Sequence, residues 1–277
     1  MQINIARSSG FCFGVRRAID ICVDLSKSRK QVYVLGDIVH NSHVVNDLAR
    51  KGIRKKKRIS PDGNAILVIS AHGASRETFK KAREKGYRII DATCPKVKDI
   101  YKIARRLEKN NTIIIIGDKG HSEVKGIAGQ LRKKPITIES PDKIPLKKLR
   151  KVKRAAVVTQ STQTIGNINN IMEKLVKIVP GVRLHNTTCR ITVVKQREIE
   201  TLPLKNDIVL IIGSPTSANT KRLFQIAKKI NGRTYWIESE KDLKKRWFKG
   251  AEKVGIMAGA STPDEVVDAI VSVLKTY

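Results

Sequence analysis

Residues 86–94 read GYRIIDATC, and residues 181–189 read GVRLHNTTC. The two segments lie 95 residues apart and share a leading glycine, an arginine two positions on and a closing Thr-Cys. A chain that repeats itself at this distance is constrained to fold as copies of one supersecondary unit. Other pairs keep nearly the same offset. NTIIIIG (111–117) resembles NDIVLIIG (206–213), ITIES (136–140) resembles YWIES (235–239), and AVVTQST (156–162) resembles IMAGAST (256–262). LVISAHGAS (67–75) echoes VGIMAGAS (254–261), which adds a third copy. The expected units are therefore 13–93, 94–188 and 189–277, with residues 1–12 joining the last. Shared βαβ composition would produce isolated matches, not several near one offset together with a duplicated cysteine motif.

Within each copy the pattern is strand, short loop, helix. The expected strands are Gln31–Leu35, Ala65–Ile69, Tyr87–Ile90, Thr112–Ile116, Ala155–Val158, Ile208–Ile212, Thr234–Ile237 and Val254–Met257. They are short, apolar and β-branched with little alternation, so both faces should be covered. Helical stretches follow at 76–86, 97–109, 164–178, 218–231 and 264–275. This is the grammar of parallel sheets. The fold class is α/β: three similar units with parallel sheets, expected around a pseudo-threefold axis. Ligands of such sheets bind beyond the carboxyl ends of the strands. His72, His121, Glu123, Gln160, Ser161, Thr162, Ser217, Asn219 and Ser261 all fall there.

Lys and Arg number 56 against 25 Asp and Glu, a net charge of +31. Such a surface favours anionic partners. The excess is dispersed through KKKR (55–58), KIPLKKLRKVKR (143–154) and helix faces such as 221–229, without an aromatic-interleaved RNA-binding motif. A solvated basic surface that steers anions is the expected role, rather than specific nucleic-acid recognition. No apolar run reaches the roughly 18–20 residues of a membrane-spanning helix. MQINIARSSG lacks a signal peptide's pattern. Four cysteines in 277 residues make no disulfide framework, so a reducing cytoplasm is the expected setting.

Cys12, in SSGFCFGV, joins Cys94 and Cys189 as one thiol per unit, each at the end of an expected strand. Three thiolates suit an iron–sulfur cluster with one iron open, or a zinc site completed by water, although no CxxC occurs. Pro95 after Cys94 suits a helix's first turn, and a helix N-terminus favours the thiolate. Cys22 shares a helical face with Ile19 and Val23 and reads as core.

His40 (IVHN), His72 (AHG) and His121 (GHSE) stand in loops after strands. With Ser217, Asn219 and Ser261 they form a donor set suited to a phosphate or diphosphate. A three-histidine zinc site is the rival reading. His43 and His185 read as structural. Glu123 is the expected proton carrier; capping a helix that begins near Val124 is its plainer role.

In combination, GFCFGVRRA, IVHN, SAHGAS, DATCPKV, GHSEVKGIAGQ, TQST, TTC, GSPTSANTKRL and AGASTPD resemble the LytB family of 4-hydroxy-3-methylbut-2-enyl diphosphate reductases. The likeness runs from Gly10 to about Asp264. It implies a trefoil of three α/β domains around one 4Fe–4S cluster held by Cys12, Cys94 and Cys189. The open iron would bind the allylic hydroxyl of the substrate. Two electrons and protons would remove it as water, giving isopentenyl or dimethylallyl diphosphate. The likeness further implies that Glu123 supplies protons, helped by His121 and Ser161. His40, His72, His121, Ser161, Thr162, Ser217, Ala218, Asn219 and Ser261 would contact the substrate. A reduced ferredoxin or flavodoxin would donate electrons. Ala218 stands where the family usually has a second serine, Ser161 replaces a threonine, and Lys195-Gln196 replaces Arg-Gln. Rivals are an open-iron enzyme of quinolinate synthase type and a basic RNA-binding protein.

Overall fold

A computed structural model of the chain describes residues 1–62 and 64–277. The N-terminal part supplies β1 (Gln2–Ile5), α1 (Phe13–Leu25), β2 (Val32–Leu35), α2 (Ser42–Arg50), β3 (Arg54–Lys56), β4 (Ile66–Ile69), α3 (Arg76–Glu84) and β5 (Arg88–Asp91). The middle supplies α4 (Pro95–Leu107), β6 (Thr112–Ile116), α5 (Ser122–Ala128), β7 (Ile136–Ile138), the single turn α6 (Leu146–Leu149), β8 (Arg154–Thr159), α7 (Ile165–Val176) and β9 (Gly181–His185). The last part supplies α8 (Arg190–Thr201), β10 (Ile208–Ile212), α9 (Ala218–Ile230), β11 (Thr234–Ile237), β12 (Lys253–Ala258) and α10 (Asp264–Leu274).

These strands form three parallel four-stranded sheets of one topology. Their orders are β3-β2-β4-β5, β7-β6-β8-β9 and β11-β10-β12-β1. The third sheet is completed by the first strand of the chain. β1 takes the edge slot that β5 and β9 hold in the other two sheets, and pairs Gln2 with Lys253 through Ile5 with Ile256. GYRIIDATC and GVRLHNTTC are therefore an edge strand with its following cysteine. QINIARSSGFC is the third, diverged instance.

Two compact units divide the chain. One comprises Met1–Arg16, Val39–Asp47 and Arg190–Tyr277 and carries the β11-β10-β12-β1 sheet. In it, Ile208, Leu210 and Ile212 point to one face, among Val254, Ile256 and the α10 residues Ile270 and Leu274. Val209 and Ile211 point to the other, among Ile199 of α8 and Leu223 and Ala227 of α9. A parallel strand covered on both faces needs an unbroken apolar run, and IVLII is one. The other unit, Arg17–Ile38 and Leu48–Cys189, carries the remaining two sheets. There Ile113 and Ile115 pack on α4 and α5, and Ile114 and Ile116 pack on α7. Burying one such side chain contributes roughly 1.5–3 kcal/mol. The central strands β4, β6, β8, β10 and β12 are the most fully buried and therefore contribute most to their sheets. The edge strands β1, β3, β5 and β9 are half open to water. Among the described residues, no helix is long and apolar enough to cross a membrane.

Each sheet reverses its strand order between two central strands: β2 and β4, β6 and β8, or β10 and β12. A crevice opens at such a switch point, outside the carboxyl ends. His40 follows β2, His72 follows β4, His121 and Glu123 follow β6, Ser161 and Thr162 follow β8, Ser217 and Asn219 follow β10, and Ser261 follows β12.

Candidate active site

Three cysteines occupy the same place in three sheets. Each follows the edge strand of one slot and directly precedes a helix: Cys12 before α1, Cys94 before α4, Cys189 before α8. Each is tied by its backbone N–H to the segment after the neighbouring central strand. Cys12 N donates to Ala260 O at 3.1 Å, Cys94 N to Ala71 O at 3.0 Å and Cys189 N to Ser161 O at 2.9 Å. Cys94 is the N-cap of α4, with Pro95 in the first turn and no hydrogen bond from its side chain to the cap. A helix N-terminus carries partial positive charge, which stabilises a thiolate or an anionic metal centre. None of the four cysteines forms a disulfide, and these three are half-buried. Cys22 is fully buried within α1, and burial pushes its thiol up to about 12. It is core, as its helical spacing predicts.

In the Arg17–Ile38 and Leu48–Cys189 unit, Glu123 is 2% exposed in the first turn of α5. The helix begins at Ser122, and the cap is His121, not Glu123. His121 Nδ1 accepts from Glu123 N at 3.1 Å, which leaves the imidazole proton on Nε2. The Glu123 carboxylate instead accepts from Ser161 N at 2.6 Å and from Ser161 Oγ at 2.7 Å. A buried carboxylate with two short bonds to one serine is held in a single orientation. The His72 ring stands edge-on to His121 with centroids 5.5 Å apart. Tyr101 donates to His72 O at 3.4 Å, and burial, aided by the charges of Glu123 and Asp91, pushes its phenol upward. Gln160 holds the loop through two bonds: its Oε1 accepts from Asp118 N at 2.9 Å, and its Nε2 donates to Thr162 Oγ1 at 3.1 Å.

In the other unit, Ser217 caps α9, accepting from Thr220 N at 3.3 Å. Ala218 and Asn219 fill the first turn, and both are buried. Asn219 Nδ2 and Thr220 Oγ1 are buried without a hydrogen-bond partner. Such a group costs about 1–3 kcal/mol unless something satisfies it, so the turn suits an acceptor-rich ligand. Ala218 has no side-chain donor, and its backbone N–H is one of the donors a helix leaves open at this end. Gly213, with φ 145°, lets the loop after β10 press on this turn; a Cβ there would lie 2.8 Å from Thr220 Oγ1. Ser261 Oγ donates to His40 O at 3.1 Å.

Lys195 stands where the LytB resemblance implies an arginine. It is 1% exposed, and its ammonium donates to Ser8 O, to Gly10 O at 3.1 Å and to Ala258 O at 3.2 Å. Three protons meet three carbonyls, a tripod that a planar guanidinium would not reproduce. Burial pulls its ammonium down to about 8, against the opposing charges of Cys12, Glu198 and Asp264. Glu198, one turn on, accepts from Ser8 N at 2.9 Å. Helix α8 thus pins the loop that carries Cys12. His43 is exposed on α2 and His185 ends β9.

A sequence model of the LytB protein family matches residues 3–275. The chain is 34% identical over 273 residues to the 4-hydroxy-3-methylbut-2-enyl diphosphate reductase of Trichlorobacter lovleyi, covering 98% of this chain and 97% of that one. It is 35% identical over 277 residues to the reductase of the same name from Aquifex aeolicus, covering 98% and 95%. A solved structure of (E)-4-hydroxy-3-methyl-but-2-enyl diphosphate reductase, described as the terminal enzyme of the non-mevalonate pathway, is similar over 100% of both chains, with 35% identity and a TM-score of 0.74. The Plasmodium falciparum E-1-hydroxy-2-methyl-but-2-enyl-4-diphosphate reductase is similar over 99% of this chain and 88% of that one, with 29% identity and a TM-score of 0.90.

Proposed function

The chain belongs to the LytB protein family, and we propose from this premise that it is a 4-hydroxy-3-methylbut-2-enyl diphosphate reductase, the terminal enzyme of the non-mevalonate pathway. The reaction takes up two electrons and two protons, breaks the allylic C–O bond and releases water. Its products are isopentenyl and dimethylallyl diphosphate.

The observation that carries the reading is the threefold cysteine. Cys12, Cys94 and Cys189 stand outside any disulfide, each between an edge strand and a helix N-terminus, each with the same backbone hydrogen bond. As soft donors they fit a 4Fe–4S cluster, one per chain, which three ligands leave with one iron open. Cys22 does not fit, being sealed in the core. When bound, the cluster supplies stored electrons and a Lewis-acidic iron for the substrate hydroxyl. In this reading the chain is three repeated units, 13–93, 94–188 and 189–277 with 1–12, each contributing one cysteine.

The chain's own residues then bind, orient and protonate. The first turn of α9, with Ser217, the Ala218 amide and Asn219, receives diphosphate oxygens, and the unpartnered Asn219 amide supports this. His40, His72 and Ser261 complete the diphosphate set. Anchoring the tail there aims the hydroxyl, converting much of the entropic barrier into binding. Glu123 holds the proton, and Ser161 Oγ, 2.7 Å from it, hands it to the leaving oxygen. His121 fixes the Glu123 backbone and, with Thr162, lines the substrate. Electrons come from an acidic carrier of ferredoxin or flavodoxin type. A reducing compartment such as the cytoplasm keeps the thiols available.

The test is anaerobic turnover of 4-hydroxy-3-methylbut-2-enyl diphosphate by the iron-reconstituted protein with reduced methyl viologen. Viologen oxidation with both five-carbon diphosphates as products is expected. No turnover by protein that holds an intact four-iron cluster would overturn the reading.

A further inference from the structure

We propose that the groove between α3 and α4 is the docking surface for an acidic one-electron carrier protein. The inference rests on the reductase reading, because only an enzyme supplied with electrons singly needs such a partner. The groove encloses about 440 Å³. Arg76, Phe79 and Arg83 recur at i, i+3 and i+7 along α3, and Lys98, Lys102 and Arg105 at i, i+4 and i+7 along α4, so each helix presents one stripe to it. Five cations face a single lining carboxylate, Asp91.

The charge is poorly compensated. Asp91 is engaged by Lys98 at 2.7 Å, and Lys102 meets Asp99 only at 3.9 Å, where both side chains are open to water. Arg76, Arg83 and Arg105 have no carboxylate partner among the described residues. A rim of unpaired arginines around the half-buried ring of Phe79 suits a small, transient, charge-steered complex.

Position ties this basic surface to one of the three cysteines. Thr93 lines the groove and is joined by one peptide bond to Cys94, and Lys98 N donates to Cys94 O at 3.0 Å. An electron delivered at the groove is thus one residue from a proposed cluster ligand. Each docking oxidises the carrier by one electron and reduces the cluster by one; two dockings supply one turnover.

The experiment compares the reconstituted holoenzyme with two variants of equal charge change. Arg76→Glu/Lys102→Glu alters the groove, and Lys147→Glu/Lys148→Glu alters exposed positions on α6 outside it. Binding of oxidised flavodoxin at low salt is measured without turnover, and turnover is measured with reduced flavodoxin and separately with methyl viologen, a small cation that needs no such groove. The groove variant is expected to bind flavodoxin about tenfold more weakly and to lose about tenfold in kcat/KM for it. Its viologen-driven rate should stay within twofold of the parent, and the α6 variant should behave like the parent in all three assays. Equal losses in both variants would make the effect one of net charge and overturn the assignment. So would an unaffected groove variant, or one that also loses viologen-driven turnover. A parent enzyme inactive with viologen would overturn the reductase reading instead.

Discussion

Glu123 is the residue whose chemistry is most separable from its structure. Glutamine keeps the shape and keeps an oxygen for Ser161 N, but it cannot carry a proton. Glu123→Gln is expected to retain substrate binding and thermal stability while losing about 10²–10³-fold in kcat, measured with viologen. Near-parental kcat would remove Glu123 from the proton path. The cysteines divide in the same way. Serine is a better N-cap than cysteine, so Cys94→Ser should leave α4 intact or firmer while iron per chain falls towards background. Cys22→Ala removes a buried sulfur, costs about 1 kcal/mol in thermal unfolding and leaves iron content unchanged. Equal iron loss in both would overturn the division. Cys94 was legible because its Thr-Cys motif recurs at Cys189, Cys22 because of its helical spacing, and Glu123 because it stands beside His121 in the segment after an apolar strand. The Lys195 tripod was not: its three partners are backbone carbonyls from two distant segments, and no side-chain pattern announces a carbonyl. Glu123 as a helix cap was the plainer reading of its position, and His121 takes that role because its Nδ1 reaches the amide first.

At the scale of elements, the central strands β6 and β10 keep the limits expected from their apolar runs, Thr112–Ile116 and Ile208–Ile212. Among the edge strands, β5 and β11 lie where the sequence places Tyr87–Ile90 and Thr234–Ile237, whereas β1 and β3 escape because pairing, not composition, makes them strands. β3 is Arg-Lys-Lys; Lys56 there is held by Tyr87 Oη at 2.6 Å, by Asp62 at 3.0 Å and over the Tyr33 ring. β1 escapes for a related reason, its sheet lying some 250 residues away in sequence. Yet β1 leads directly to Cys12, which gives it a role that the opposite edge lacks. Ile3 of β1 and Ile136 of β7 both pack partly buried on their sheets' cores. Ile3→Asp and Ile136→Asp should each cost roughly 2–3 kcal/mol, read from denaturant unfolding. Only Ile3→Asp should also speed iron loss to a chelator under conditions where the protein remains folded. Matching rates of iron loss would mean that the cysteine slot is no more sensitive to its edge strand than any other.

At the scale of the whole molecule the governing quantity is a net charge of +31. The ion pairs that offset it are mostly exposed, such as Lys81–Glu77 and Lys177–Glu173, and exposed pairs contribute about 0–1 kcal/mol each. Repulsion among the remaining cations acts on the compact state more than on the expanded chain, and salt screens it over about 10 Å at 0.1 M. Added salt removes both the weak attractions and the stronger repulsion. With cations in twofold excess, the repulsive part dominates. Raising potassium chloride from 0.05 to 0.5 M (on the order of a threefold shorter screening length) should therefore raise the melting temperature of the metal-free protein by several degrees in calorimetry. Sulfate at equal ionic strength should raise it further, since it is also excluded from protein surface. A melting temperature that fell with potassium chloride would mean that the paired charges, not the unpaired excess, control stability. The basic surface would then have to be read as a set of built ion pairs, and the unpaired arginines at the α3–α4 groove would lose the physical basis for steering a partner.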